Sequence, residues 1–92
     1  AGFRAFFSGS PVKRIGRDRF IRNVLIAAGN SGEAVLIAPC RRLAEDEAPL
    51  VRGAAVWALS RLLDEKAFAS LETQLRPQEN DVDVQAEWDG RS

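Results

Sequence analysis

Apolar positions recur along this chain at helical rather than strand spacing. Residues 17–29 put Phe20, Ile21, Val24, Leu25 and Ala28 on one face of a helical wheel. Arg19, Arg22 and Asn23 fall on the other, with Arg19 and Arg22 one turn apart. Residues 49–63 carry a second stripe, Val51, Ala54, Ala55, Ala58 and Leu62, whose small members call for close approach to a neighbouring helix. Phe68, Leu71 and Leu75 form a third stripe within residues 65–75, behind Asp64 in a position that suits an N-cap. Residues 33–45 make a weaker helix, with a kink or a restart expected at Pro39.

Turn residues punctuate these stripes. Phe3, Phe6 and Phe7 have helical spacing, and Ser8-Gly9 stops that segment. Ser10 and Pro11 suit the start of a short helix, which Gly16 is expected to break before residue 17. Asn30-Ser31-Gly32 reads as a turn, with Ser31 available as a cap. Glu45 to Ala48 form an acidic turn ahead of Pro49, and residues 76–80 form a polar link. Val82, Val84 and Trp88 open a further element that stops short, with Trp88 either a lid over the last apolar end or part of a disordered tail. Aligning Ile21-Arg22 with Val51-Arg52 gives a period of 30, and Val51 with Val84 a period of 33. Each unit is a helix, a turn and a helix, which buries its apolar side only by stacking on the next. The expected fold is therefore all-α: a short HEAT-like array of about two helix–turn–helix units and a truncated third, over residues 17–92, with residues 1–16 as a hinge.

Composition narrows the chemistry. An apolar fraction of 46% supports a core, and no apolar run approaches the roughly 20 residues that cross a bilayer. With no signal-peptide layout either, a cytoplasmic location and no membrane partner are expected. The chain has no histidine, no tyrosine and one cysteine. That removes the commonest general base and any cysteine–histidine or serine–histidine pair. Cys40 sits in an apolar stretch and reads as a buried structural thiol rather than a nucleophile. No glycine spacing fits a phosphate loop or a dinucleotide fold. Catalysis within the chain is not expected, and the lack of any methionine suggests a piece of something longer.

The formal charge is zero, yet its distribution is polar. Residues 1–30 hold six bases against one acid, net +5; residues 64–92 hold three bases against eight acids, net −5. Stacked in order, the repeats would have one cationic and one anionic end, and the cationic end can face phosphate.

Two blocks carry a family resemblance. Ser10-Pro11-x-Lys13-Arg14-x-Gly16-Arg17-x-Arg19-x-x-Arg22-Asn23, with the apolar run to Gly29-Asn30-Ser31-Gly32, resembles the carboxy-terminal part of epoxyqueuosine reductases. So do Pro49-Leu50-Val51-Arg52-Gly53-Ala54-Ala55-x-Trp57-Ala58-Leu59 and the closing Glu87-Trp88. The first block is fairly specific, whereas the second alone says only HEAT-like. Members of that family carry a cobalamin domain, a domain with two 4Fe-4S clusters and a helical-repeat domain, and reduce epoxyqueuosine in tRNA to queuosine. The resemblance implies that this chain is the repeat domain, partnered by the cobalamin and iron–sulfur domains of its parent and by the tRNA anticodon arm. The cluster cysteines are absent, so no catalytic, metal-binding or cofactor-binding residue carries over; a role in holding tRNA does.

On that reading Lys13, Arg14, Arg17, Arg19, Arg22 and Arg52 are the nucleic-acid candidates, because arginine presents a planar fork of donors to phosphate oxygens. The competing reading is a solvated helix edge or a surface for docking the other domains. Arg22 and Arg52, at equivalent repeat positions, are expected to brace neighbouring repeats more than to touch RNA. Trp57 either packs against an adjacent helix, the favoured reading, or offers a stacking surface for a base or a cation–π partner for Arg61. Asn23 could touch a phosphate or ribose, though capping suits it better. The alternative function is a HEAT-like protein-interaction scaffold.

Overall fold

A computed structural model describes residues 11–89, with side chains from residue 16 onward. The segment with Phe3, Phe6 and Phe7, and the side chains of Lys13 and Arg14, lie outside the described residues. Five α-helices follow in order: α1 (Pro11–Ser31), α2 (Ile37–Leu43), α3 (Pro49–Leu62), α4 (Glu65–Leu75) and α5 (Val82–Asp89). Single 3₁₀ turns precede α2 (Ala34–Leu36) and follow α4 (Arg76–Gln78). No strand occurs among the described residues. Two helix pairs and the first helix of a third unit give the all-α repeat architecture expected from the periods of 30 and 33.

α1 runs without interruption through Gly16, where a break was expected. One glycine in a helix interior costs only about 1 kcal/mol, and the helix downstream is held by its packing along α3. The helix stops at Gly32, whose φ of 71° is the left-handed conformation that glycine adopts freely. Ser31 closes the turn: its hydroxyl donates to the Ala28 carbonyl at 2.7 Å and accepts from the Glu33 N–H at 3.2 Å. The restart in the second segment falls at Ile37, two residues ahead of Pro39. Proline thus occupies the first turn of α2, where its missing N–H removes no helical hydrogen bond.

The buried face of α1 also differs from the wheel. Leu25 and Ala28 are buried and Ile21 half-buried, but Phe20 and Val24 remain 57% and 50% exposed. The physical reason is that α1 packs mainly on one neighbour, so the face against α3 narrows to Ile21, Leu25, Ala28 and Gly29. α3 is the opposite case. It packs against α1, α2, α4 and α5, and Val51, Ala55, Val56, Ala58 and Leu59 are all at most 1% exposed. Ala54 and Leu62, placed in its stripe by spacing, are only half-buried.

α4 begins and ends where the stripe predicts, and Asp64 caps it by accepting from the Ala67 N–H at 2.7 Å. Asp81 caps α5 in the same way, accepting from the N–H groups of Asp83 and Val84. Phe68, Leu71, Leu75, Val84 and Trp88 join the core. Trp88 is 2% exposed and tilts against Phe68 at a ring separation of 5.1 Å, a packed lid on this end of the described array.

The α1–α3 contact leaves no spare room. A β-carbon at Gly29 would lie 2.6 Å from Cζ3 of Trp57 and 3.1 Å from Cα of Ala58, so something there would have to move. Ala55, at 0% exposure, is equally confined. Ala55→Leu is therefore expected to lower unfolding stability by about 1–3 kcal/mol through overpacking. Thermal or denaturant unfolding checks this, and Leu50→Ala, on the exposed side of the same helix, serves as the nearly neutral control.

Candidate nucleic-acid interface

The six basic candidates divide by what already engages them. Arg17 donates to Asp18 at 2.7 Å and, from its other terminal nitrogen, to Asp46 at 2.9 Å. Asp46 lies in the loop between α2 and α3, so this pair ties the first helix of one unit to the entrance of the next. Arg52 does the same one unit later. Its Nε and Nη2 make a two-pronged contact with the carboxylate of Glu79, both at 2.8 Å, and its Nη1 donates to the carbonyls of Asp46 and Glu47 at 3.0 Å. Glu79 in turn accepts from the Asp81 N–H at the entrance to α5.

A continuous ladder of hydrogen bonds therefore runs from Arg17 through Asp46, Arg52 and Glu79 to α5. The side chains of Arg52 and Glu79 are only 19% and 7% exposed. Arg52 thus has the bracing geometry expected of it. Arg22, its sequence equivalent at a spacing of 30, does not: the loop carboxylate it would meet is held by Arg17 instead.

Arg19 and Arg22 stay outside the ladder. Both are exposed. Among the described residues Arg19 makes no hydrogen bond or ion pair. Arg22 makes only a long one, 3.5 Å, to Oδ1 of its neighbour Asn23. Lys13 and Arg14 lie on the same continuous helix, one to two turns towards its start. The cationic edge with guanidinium groups open to a ligand is thus the first helix of the array rather than the loops.

Two of the recesses beside α3 contain candidate arginines. The larger, about 310 Å³, lies among the loops and is lined by Glu45, Asp46, Glu47, Arg52, Glu79 and Trp88, among others. Arg52, Asp46 and Glu79 in it are mutually bonded, so it is a joint between repeats. The smaller, about 220 Å³, is a notch on the side formed by α1, α3 and α5, lined by Arg22, Ile26, Gly53, Ala54, Trp57 and Glu87. Trp57 packs against the adjacent helix, the favoured reading, and also has Arg61 as a cation–π partner. Its six-membered ring packs over Gly29, and the guanidinium of Arg61 sits 5.8 Å from the ring centre, within cation–π range. Gly53 and Glu87 gave no site signal in the sequence: one looks like an ordinary helical glycine, and the other takes part in the notch only because α5 folds back along α3.

Among the described residues no three ligand-type side chains gather to hold a metal. Cys40 is 2% exposed, and burial pushes its thiol up from the ordinary value, away from the reactive thiolate. These residues do not fit a four-cysteine cluster. No helix among them is long and apolar enough to cross a membrane.

Stacked helix pairs joined by short loops, with each loop tied to its neighbour by an arginine, define a helical-repeat scaffold. Residues 17–88 match the family described as HEAT repeats, and the chain belongs to that family. It is also similar to epoxyqueuosine reductases. The protein of that name from Alicycliphilus denitrificans is 38% identical over 69 residues, 66% of this chain and 19% of the relative. Those from Xanthomonas campestris and Salmonella typhimurium are 35% identical over 54 residues and 29% over 75, or 58% and 82% of this chain. The chain spans about a fifth or less of the length of these relatives. No solved structure matches it.

The Arg52–Glu79 pair should be visible in acid. Burial pushes the Glu79 carboxyl up, but the hydrogen bonds from Arg52 and the Asp81 N–H, with the charge of Arg52, outweigh it and leave the carboxyl below its ordinary value of 4.5. A carboxyl held lower in the folded state stabilises the fold above that ordinary value and loses its contribution as the pH falls below it. Glu79→Gln should cost about 2 kcal/mol at neutral pH, and the gap to wild type should close on acidification. Denaturant unfolding across pH 3–7 measures both.

Proposed function

We propose that this chain is the substrate-holding repeat module of an epoxyqueuosine reductase, gripping tRNA by its backbone and doing no chemistry itself. The observation that carries the reading is the row of basic side chains along α1, of which Arg19 and Arg22 are exposed and not locked into the inter-repeat ladder. The name shared by the similar proteins supplies the substrate class. In this reading the reaction, with its cobalamin and iron–sulfur clusters, belongs to other domains of a longer cytoplasmic protein, and the tRNA anticodon arm reaches them past the start of α1. Arg14 and Arg22 stand eight residues apart, about 12 Å along a helix, enough for successive phosphates of one strand. Arg17 and Arg52 contribute by holding the repeats in line, so their loss would weaken binding through the scaffold.

Charge reversal separates this reading from a protein-docking edge. Arg14→Glu with Arg19→Glu should weaken tRNA binding and flatten its dependence on salt, since each lost duplex phosphate contact removes nearly one unit from the log–log slope. Circular dichroism should show an unchanged fold, as Arg19 bonds to nothing among the described residues. A mobility shift with tRNA at low and moderate salt reads the effect. Binding equal to wild type at low salt would assign this edge to domain docking.

A further inference from the structure

The notch between α1, α3 and α5 differs from the other recess in one respect: its charged groups are not spent on each other. Glu87 is half-buried in its wall, yet among the described residues it makes no hydrogen bond or ion pair. Arg22, on the opposite wall, bonds only weakly to Asn23. Trp57 lines the same notch, its position fixed by the contact with Gly29 and its ring within cation–π range of Arg61. α5 lies close over Gly53, where an added β-carbon would come into ordinary contact, 3.7 Å from Cγ of Glu87 and 3.8 Å from Cγ2 of Val84.

We infer that this notch binds one unpaired RNA base that carries an exocyclic amino group. The inference rests on the RNA-holding function proposed above and adds to it a site that reads a base rather than the backbone. An aromatic ring backed by a guanidinium is a surface on which any base can stack. A carboxylate beside it is the wrong group for phosphate but the right acceptor for the amino group of cytosine, adenine or guanine, and it has no counterpart on uracil. Arg22 lies one helical turn from Arg19, so a strand held by phosphate at Arg19 delivers its next base to the notch. Glu87 is thereby given a task that its lack of a structural partner leaves open.

The test uses the 92-residue chain and two RNA hexamers, all-cytidine and all-uridine, with binding followed by fluorescence anisotropy at low salt. Wild type should prefer the cytidine hexamer at least about tenfold, the lower end of what one hydrogen bond to a charged acceptor supplies. Glu87→Ala should abolish that preference while leaving or raising the affinity for the uridine hexamer, because it removes a negative charge as well as the acceptor. Trp57→Ala should weaken both hexamers about tenfold. Its melting curve is measured alongside because the indole also packs on Gly29, and Glu87→Ala remains decisive if that variant unfolds. A wild-type chain that binds both hexamers equally, or a cytidine preference that survives Glu87→Ala, overturns the base site while salt-dependent RNA binding stands. Absence of binding to the hexamers and to tRNA overturns both.

Discussion

The geometry of this array turns on one close contact, where α1 crosses α3 at Gly29. Helices packed through ordinary side chains lie 8–10 Å apart; here the absence of a side chain lets the edge of Trp57 and the backbone at Ala58 come against α1 itself. Ala58, fully buried, adds no bulk at the crossing. The consequence reaches beyond stability. Because the indole is wedged by backbone rather than by a flexible neighbour, its direction is set by the fold, and so is the wall of the notch it forms with Arg22 and Glu87. A looser crossing would leave the same residues present but the notch undefined.

Chemistry on the surface follows from a second constraint, the need to hold each loop to the preceding unit. Two of the arginines are consumed by it, Arg17 by Asp46 and Arg52 by Glu79. These groups are partly desolvated, so removing one partner leaves a charge that the interior does not solvate well. Arg52 also reaches the carbonyls of Asp46 and Glu47, which makes it the hinge pin of the ladder. Of the candidate arginines with described side chains, Arg19 and Arg22 lie outside the ladder and are those a polyanion can use without opening the scaffold.

What the sequence disclosed, and what it concealed, separates along the range of the interactions involved. Asp64 and the Phe68, Leu71 and Leu75 stripe define α4 because capping and helical periodicity are local. The repeat of Val51 on Val84 placed α5, whose buried residues are Val84 and Trp88. Gly16 misled because a local propensity cost is small beside the packing of a 21-residue helix. Phe20 and Val24 fell outside the buried face because a wheel cannot tell how many neighbours a helix has. Arg22 and Arg52 look alike in sequence; which one braces a loop depends on where the carboxylates of residues 46 and 79 arrive in space. Glu87 belongs to the closing pair of the family resemblance but carried no site signal, since the notch exists only once α5 lies beside α3.

The zero net charge acquires meaning from this arrangement. A protein with a net positive field attracts nucleic acid from any side. Here the basic residues lead and the acidic ones follow, so on the proposed function a phosphate backbone would be drawn to α1 and repelled by α4, α5 and their connecting turn. In the proposed function, the acidic half would act as a boundary that keeps a strand to the edge beside the notch. A module built this way gives up long-range affinity for a defined path, which suits a domain whose substrate must arrive in one orientation at a neighbouring centre.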